Sequence, residues 1–92
     1  MIAKDLNLDA MSVEELEAFA RRIEVDSRRV ARQLFPGRKR GTVKAALQLR
    51  SYASTKRDAM RLRLAGKIAS AQELERLTDR IYQMIPDWAK GW

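Results

Sequence analysis

Ninety-two residues, a net charge of +7 and the complete absence of Cys and His bound what this chain can do. The length suits one domain spanning residues 1–92, close to the smallest size at which a core holds itself together without metals or disulfides. Without Cys or His, disulfides, thiolate zinc sites and imidazole general-base or pH-switch chemistry are excluded, and neither a metal nor another cofactor is expected.

The first ten residues are short and acidic, lacking the charged start and apolar middle of a signal peptide, and no apolar run approaches the roughly 20 residues that cross a bilayer. A cytoplasmic location is the expectation. Met11-Ser12-Val13-Glu14-Glu15-Leu16 then reads as a helix start, with Ser12 as cap, Glu15 reaching back and Met11 packing on Leu16. Leu16, Phe19, Ala20, Ile23, Val30 and Leu34 recur at three-to-four spacing, with an interruption at Ser27, until Pro36-Gly37. The first predicted helix therefore covers about 13–35.

A basic loop, 36–42, carries Arg38, Lys39 and Arg40 between Gly37 and Gly41, and Thr42 is the expected cap of the next helix. That second helix, about 43–65, places Ala46, Leu49, Ala53, Met60 and Leu64 on one face and ends at Gly66. The third, about 71–85, opens with the capping-box pattern Ser70-Ala71-Gln72-Glu73, shows Leu74, Leu77, Ile81, Met84 and Ile85, and stops at Pro86. Three such helices with short connections imply an all-α, antiparallel three-helix bundle with two long helices, one shorter one, and extensions at both ends. The long hairpin is expected to be uncovered at the end bearing the basic loop, leaving that end to Ile2, Leu6 and Leu8 or to another subunit. The aromatic tail with Trp88 and Trp92 is expected near the opposite end.

Charge is strongly segregated along the chain. Fifteen of the nineteen Lys and Arg residues lie between Arg21 and Lys67, opposed there only by Glu24, Asp26 and Asp58, so this stretch carries +12 while both flanks are net acidic. Clustered cations raise the local potential and gain free energy by displacing counterions from phosphates, which points to a polyanionic partner.

The loop suits anion binding, because Arg38, Lys39, Arg40 and Lys44 converge with the exposed N–H groups that open the second helix. It is not a P-loop, lacking both the Gly-Lys-Ser/Thr ending and a preceding strand. Along the second helix Arg50, Arg57 and Arg61 fall within about 40° of one another at 100° per residue, and Lys56, Arg63 and Lys67 form another ridge. Within this pattern Arg57 is a candidate partner for Glu24 or Asp26, and Arg22 and Arg29 bracket Asp26 at one-turn spacing. No Ser stands beside a base, and the carboxylate pairs Glu14/Glu17 and Glu75/Asp79 are better explained by helix ends and nearby arginines than by a metal. No catalytic residue is assigned.

Two functions follow as expectations. One is a small, non-enzymatic, basic helical module binding nucleic acid, DNA or RNA, through phosphate contacts from Arg38, Lys39, Arg40, Lys44, Arg50, Arg57 and Arg61 without strong sequence specificity. A helix-turn-helix reader is disfavoured because the third predicted helix opens with acids. The other is an oligomeric protein-interaction or assembly subunit, of the kind found in bacterial or phage particles, that meets an acidic protein or its own copies through the uncovered hairpin, Trp88 and Trp92.

Overall fold

The computed structural model describes residues 6–92, so the expected contribution of Ile2 lies outside the described residues. The chain is all-helical among these residues: α1 is Val13–Val25, α2 Ser27–Leu34, α3 Thr42–Leu64 and α4 Ile68–Met84, with short 3₁₀ turns at Leu8–Ala10 and Asp87–Ala89. α3 packs against each of the other three α-helices, and α1 also packs against α2. The bundle is elongated, about 43 × 23 × 20 Å.

Local chemistry explains where each helix begins and ends. At α1 the capping box forms as the sequence implies: the Glu15 N–H donates to Ser12 Oγ at 3.2 Å and the Ser12 N–H to Glu15 Oε1 at 3.0 Å. The expected single helix 13–35 is instead two, because Asp26 leaves helical geometry at φ −153°, ψ 83°. Its N–H still donates to the Arg22 carbonyl while its side chain accepts the Arg29 N–H at 3.1 Å. One residue thereby ends α1 and caps α2, the arrangement that Asp prefers over a helix interior. The apolar repeat resumes on the same side after the gap at Ser27, since Ile23 and Val30 are both buried.

α3 starts at Thr42 behind Gly41, which takes a left-handed φ of +74° and supplies no side-chain cap, so Thr42 does not cap as expected. It ends in a paired motif in which Gly66 N–H donates to Arg63 and Lys67 N–H to Leu62, with Gly66 at φ +79°. That tight exit lets α4 begin at Ile68, three residues before the expected start. Ser70 and Glu73 consequently fall inside the helix and the predicted capping box does not form.

The core is built around α3, whose buried Ala45, Ala46, Ala53 and Ala59 let neighbours approach closely, while Leu49 and Tyr52 fill the space between them. Leu16, Phe19 and Ile23 of α1, Val30 and Leu34 of α2, then Phe35, meet it from one side. Leu6 and Leu8 are buried in the same core, and the adjacent Asp9 accepts the Tyr52 hydroxyl proton and pairs with Lys56 Nζ at 3.3 Å. Burial and the Asp9 carboxylate together push the Tyr52 phenol well above its ordinary range.

The aromatic tail lies at the loop end of the bundle, contrary to expectation. Gln48, two turns into α3, donates to the Met84 carbonyl, so α4 delivers its tail beside the start of α3. Trp88 packs edge-on against Phe35 at 5.2 Å, and Trp92 joins Tyr52 and Tyr82 with ring centroids 5.3 and 5.6 Å away. Both Trp side chains are partly buried against the core, so the end expected to lie open is covered by the tail. No helix among the described residues is long and apolar enough to cross a membrane.

Candidate nucleic-acid interface

The loop between α2 and α3 is pinned at its start by Phe35, 1% exposed, and everything from Pro36 to Gly41 is exposed. Gly37 at φ +83° and Gly41 at φ +74° make the two turns that throw the intervening cations outward. Arg38 is held at two points: its guanidinium carbon lies 3.5 Å from the Trp88 ring centroid, and its backbone N–H donates to the Phe35 carbonyl at 3.2 Å. The guanidinium thus rests on Trp88 in an exposed residue and has no hydrogen-bond or ion-pair partner among the described residues, which leaves it able to take a phosphate oxygen pair.

Lys39, Arg40 and Lys44 are exposed, and Arg50 is half-exposed two turns into α3. Among the described residues none of Arg38, Lys39, Arg40, Lys44 and Arg50 enters an ion pair. The first intrahelical acceptor of α3 is the Gly41 carbonyl, which bonds Ala45 N–H. The N–H groups of Thr42, Val43 and Lys44 therefore open a 23-residue helix with no side chain capping them. Arg28 and Arg32, one turn apart in α2, are exposed as well and enter no ion pair among the described residues.

The other half of α3 behaves differently. Arg61 bonds Glu17 at 3.1 Å, Arg57 lies 4.0 Å from the same carboxylate and 3.0 Å from Asp58, Lys56 pairs with Asp9, and Arg63 grips Glu75 with two bonds of 2.9 and 2.7 Å. Acids from the two ends of the chain thus neutralise the ridge that the sequence left opposed only by Asp58. Arg57 finds Glu17 and Asp58 rather than Glu24 or Asp26: α1 meets this part of α3 with its first half, where Glu17 also takes Arg61. The Arg63 contact holds the Glu75 carboxyl below its usual range, so this acid is spoken for. Lys67 stands at the far end of α3, about 35 Å from the loop at 1.5 Å per residue.

No family model, curated protein or solved structure matches this chain.

Sequence reasoning missed one concavity, an open groove of about 650 Å³ between α1 and α2. Arg21, Arg22 and Arg29 line it, but so do Glu14, Glu17 and Asp26, and Arg22 turns across it to Gln33 at 3.2 Å rather than to Asp26. Three acids against three bases give no excess charge, so the groove offers a polyanion little. It lies where Asp26 breaks the helix, one residue before the interruption of the apolar repeat at Ser27, which was the sequence's only trace of it. No group of three or more metal-ligating side chains occurs among the described residues.

Each predicted contact residue now has a place. Arg38, Lys39, Arg40 and Lys44 come together around the start of α3, Arg50 lies farther along the same helix, and Arg57 and Arg61 are drawn into pairs with Glu17. Trp88 serves as the platform under Arg38, and Trp92 is flanked by Tyr52 and Tyr82, the latter donating its hydroxyl to the Trp92 carbonyl at 2.8 Å.

Proposed function

We propose that this protein is a small non-enzymatic module that binds nucleic acid, DNA or RNA, by contacting phosphates through Arg38, Lys39, Arg40 and Lys44 at the opening of α3, with Arg28, Arg32 and Arg50 extending the track. The observation that carries the proposal is the division of α3: its C-terminal cations are met by carboxylates, whereas those around its N-terminus have none among the described residues. Unmatched cations beside uncapped N–H groups favour an anionic ligand. Contacts of this kind position a protein on a nucleic-acid backbone without reading bases, so sequence preference is weak. Arg57 and Arg61 drop out of the contact set.

With this reading goes an antiparallel arrangement, supported by Gln48 meeting Met84 and Arg63 meeting Glu75, and by α1 and α2 together replacing the expected first helix. A cytoplasmic location accords with the lack of Cys. The alternative of an assembly subunit working through Trp88 and Trp92 draws less support, because both rings are engaged within the fold.

Fluorescence anisotropy with random-sequence duplex and single-stranded RNA tests the proposal. Four phosphate contacts give a log–log salt slope near −3.6 on duplex, so raising salt from about 50 to about 200 mM should weaken binding by about 10²-fold. Absence of binding at the lower salt would reject the proposal.

A further inference from the structure

α4 has one extensive neighbour, α3, against which it buries Ala71 and Thr78. Beside that buried line runs a second row, Ser70, Leu74, Leu77, Ile81 and Met84, in alternating steps of four and three. Leu77 is 42% exposed and Met84 70% exposed, whereas Leu74 and Ile81 are half-buried, Ile81 against the edge of the core, so both flank the buried line and the exposed row. Steps of four and three serve a core face and a helix–helix seam alike; what the core leaves unexplained is the exposure of Leu77 and Met84 on this row.

We propose that this row is a dimer contact in which α4 packs antiparallel against α4 of a second copy of the chain, about a two-fold axis at Leu77. The row is balanced about that residue: Ser70 and Met84 lie seven positions to either side, so a small side chain faces a long one, and Leu74 of one protomer faces Ile81 of its partner. The charges on the rim select the occupant. Glu73 and Arg80, also seven apart, sit on the same outer edge, are exposed, and enter no ion pair among the described residues. In an antiparallel pair an edge faces its own copy, so Glu73 of each protomer meets Arg80 of the other, twice over. A parallel pair would set that edge against the line of Ala71 and Thr78, which α3 already covers. The isologous geometry of a two-fold contact requires this kind of self-complementarity. The surface is separate from the basic loop, and the inference stands whether or not the chain binds nucleic acid. With only two heptads in the seam, association is weak, in the micromolar range or above.

Sedimentation equilibrium from about 1 µM to about 1 mM should reveal a monomer–dimer equilibrium. Glu73→Arg or Arg80→Glu alone places like charges together at both symmetric contacts and should weaken the dimer about tenfold, and the double reversal should restore it to within about threefold. Leu77→Glu should abolish dimerisation while leaving the helical circular dichroism intact, because Leu77 is already partly exposed. Since the chain has no Cys, Leu77→Cys should give a disulfide-linked dimer on mild oxidation. A wild-type monomer throughout the range, a dimer indifferent to Leu77→Glu, or a double reversal no tighter than the single reversals would each overturn the proposal.

Discussion

Removing the same number of cations from two places should have unequal effects on nucleic-acid binding. Lys39→Ala/Arg40→Ala takes two unpaired charges from the loop, whereas Arg57→Ala/Arg61→Ala takes two that face Glu17 and Asp58. Both variants lower the net charge by two, so a response to overall charge alone would be equal. Each phosphate contact releases about 0.9 of a counterion on duplex DNA, so the loop variant should lose about 1.8 in salt slope, equivalent to about 60-fold in affinity at 0.1 M salt. The α3 variant should keep its slope to within about 0.3. Arg57 is sixteen residues beyond Gly41, about 24 Å along the helix, and a Debye length of about 10 Å screens its influence on the loop. Adding Arg38→Ala to the loop variant should bring the slope loss to about 2.7. It also removes the stack on Trp88, worth about 0.5–1 kcal/mol, so the double variant is the cleaner comparison. Anisotropy titrations at several salt concentrations supply the slopes. Equal losses in the two double variants, or no loss in the loop variant, would refute the claim that local unpaired charge sets the affinity.

Three further expectations concern the scaffold. Asp26→Ala removes the acceptor for the Arg29 N–H and should cost about 1 kcal/mol, lowering Tm by about 4–8 °C in thermal circular dichroism; an unchanged Tm would show that the cap contributes nothing. Gly41→Ala forces a side chain into a left-handed φ of +74° and should cost about 1–2 kcal/mol, although its Cβ would meet Trp88 at an ordinary 3.7 Å, so a neutral outcome in chemical denaturation would contradict the strain argument. Glu15 and Glu75 both have folded pKa values lowered, by the Ser12 hydrogen bonds and by Arg63 respectively. Their stabilisation is therefore present above the ordinary carboxylate pKa of 4.5 and fades as pH falls through the lower folded values, so Glu75→Gln should flatten the acid limb of Tm against pH; an unchanged limb would exclude the contribution.

The helix ends written in local chemistry were legible: Ser12 with Glu15, Pro36-Gly37 and Gly66 all act where their side chains or backbone freedom imply. Asp26 was not, because one residue can leave and re-enter helical geometry without shifting the apolar repeat from Ile23 to Val30. Ser70 and Glu73 have the right spacing for a cap, but the compact exit at Gly66 and Lys67 starts the helix before them. The loop cations could be located from sequence because the glycines bracket them and their neighbours are few. The neutralisation of Lys56, Arg57, Arg61 and Arg63 could not, since Asp9, Glu17 and Glu75 reach them only through tertiary packing. The position of Trp88 at the loop end was equally hidden, as it depends on α4 running back to the start of α3.

Backbone amide chemical-shift mapping with a short random-sequence duplex at low salt tests most directly whether unpaired charge at the opening of α3 forms the binding surface. The expected result is a contiguous set of perturbations from Gly37 to Lys44, joined by Arg28 and Arg32, with the stretch from Lys56 to Arg63 unmoved. Perturbations centred on Lys56 to Arg63, or on the α1–α2 groove while the loop stays silent, would contradict it.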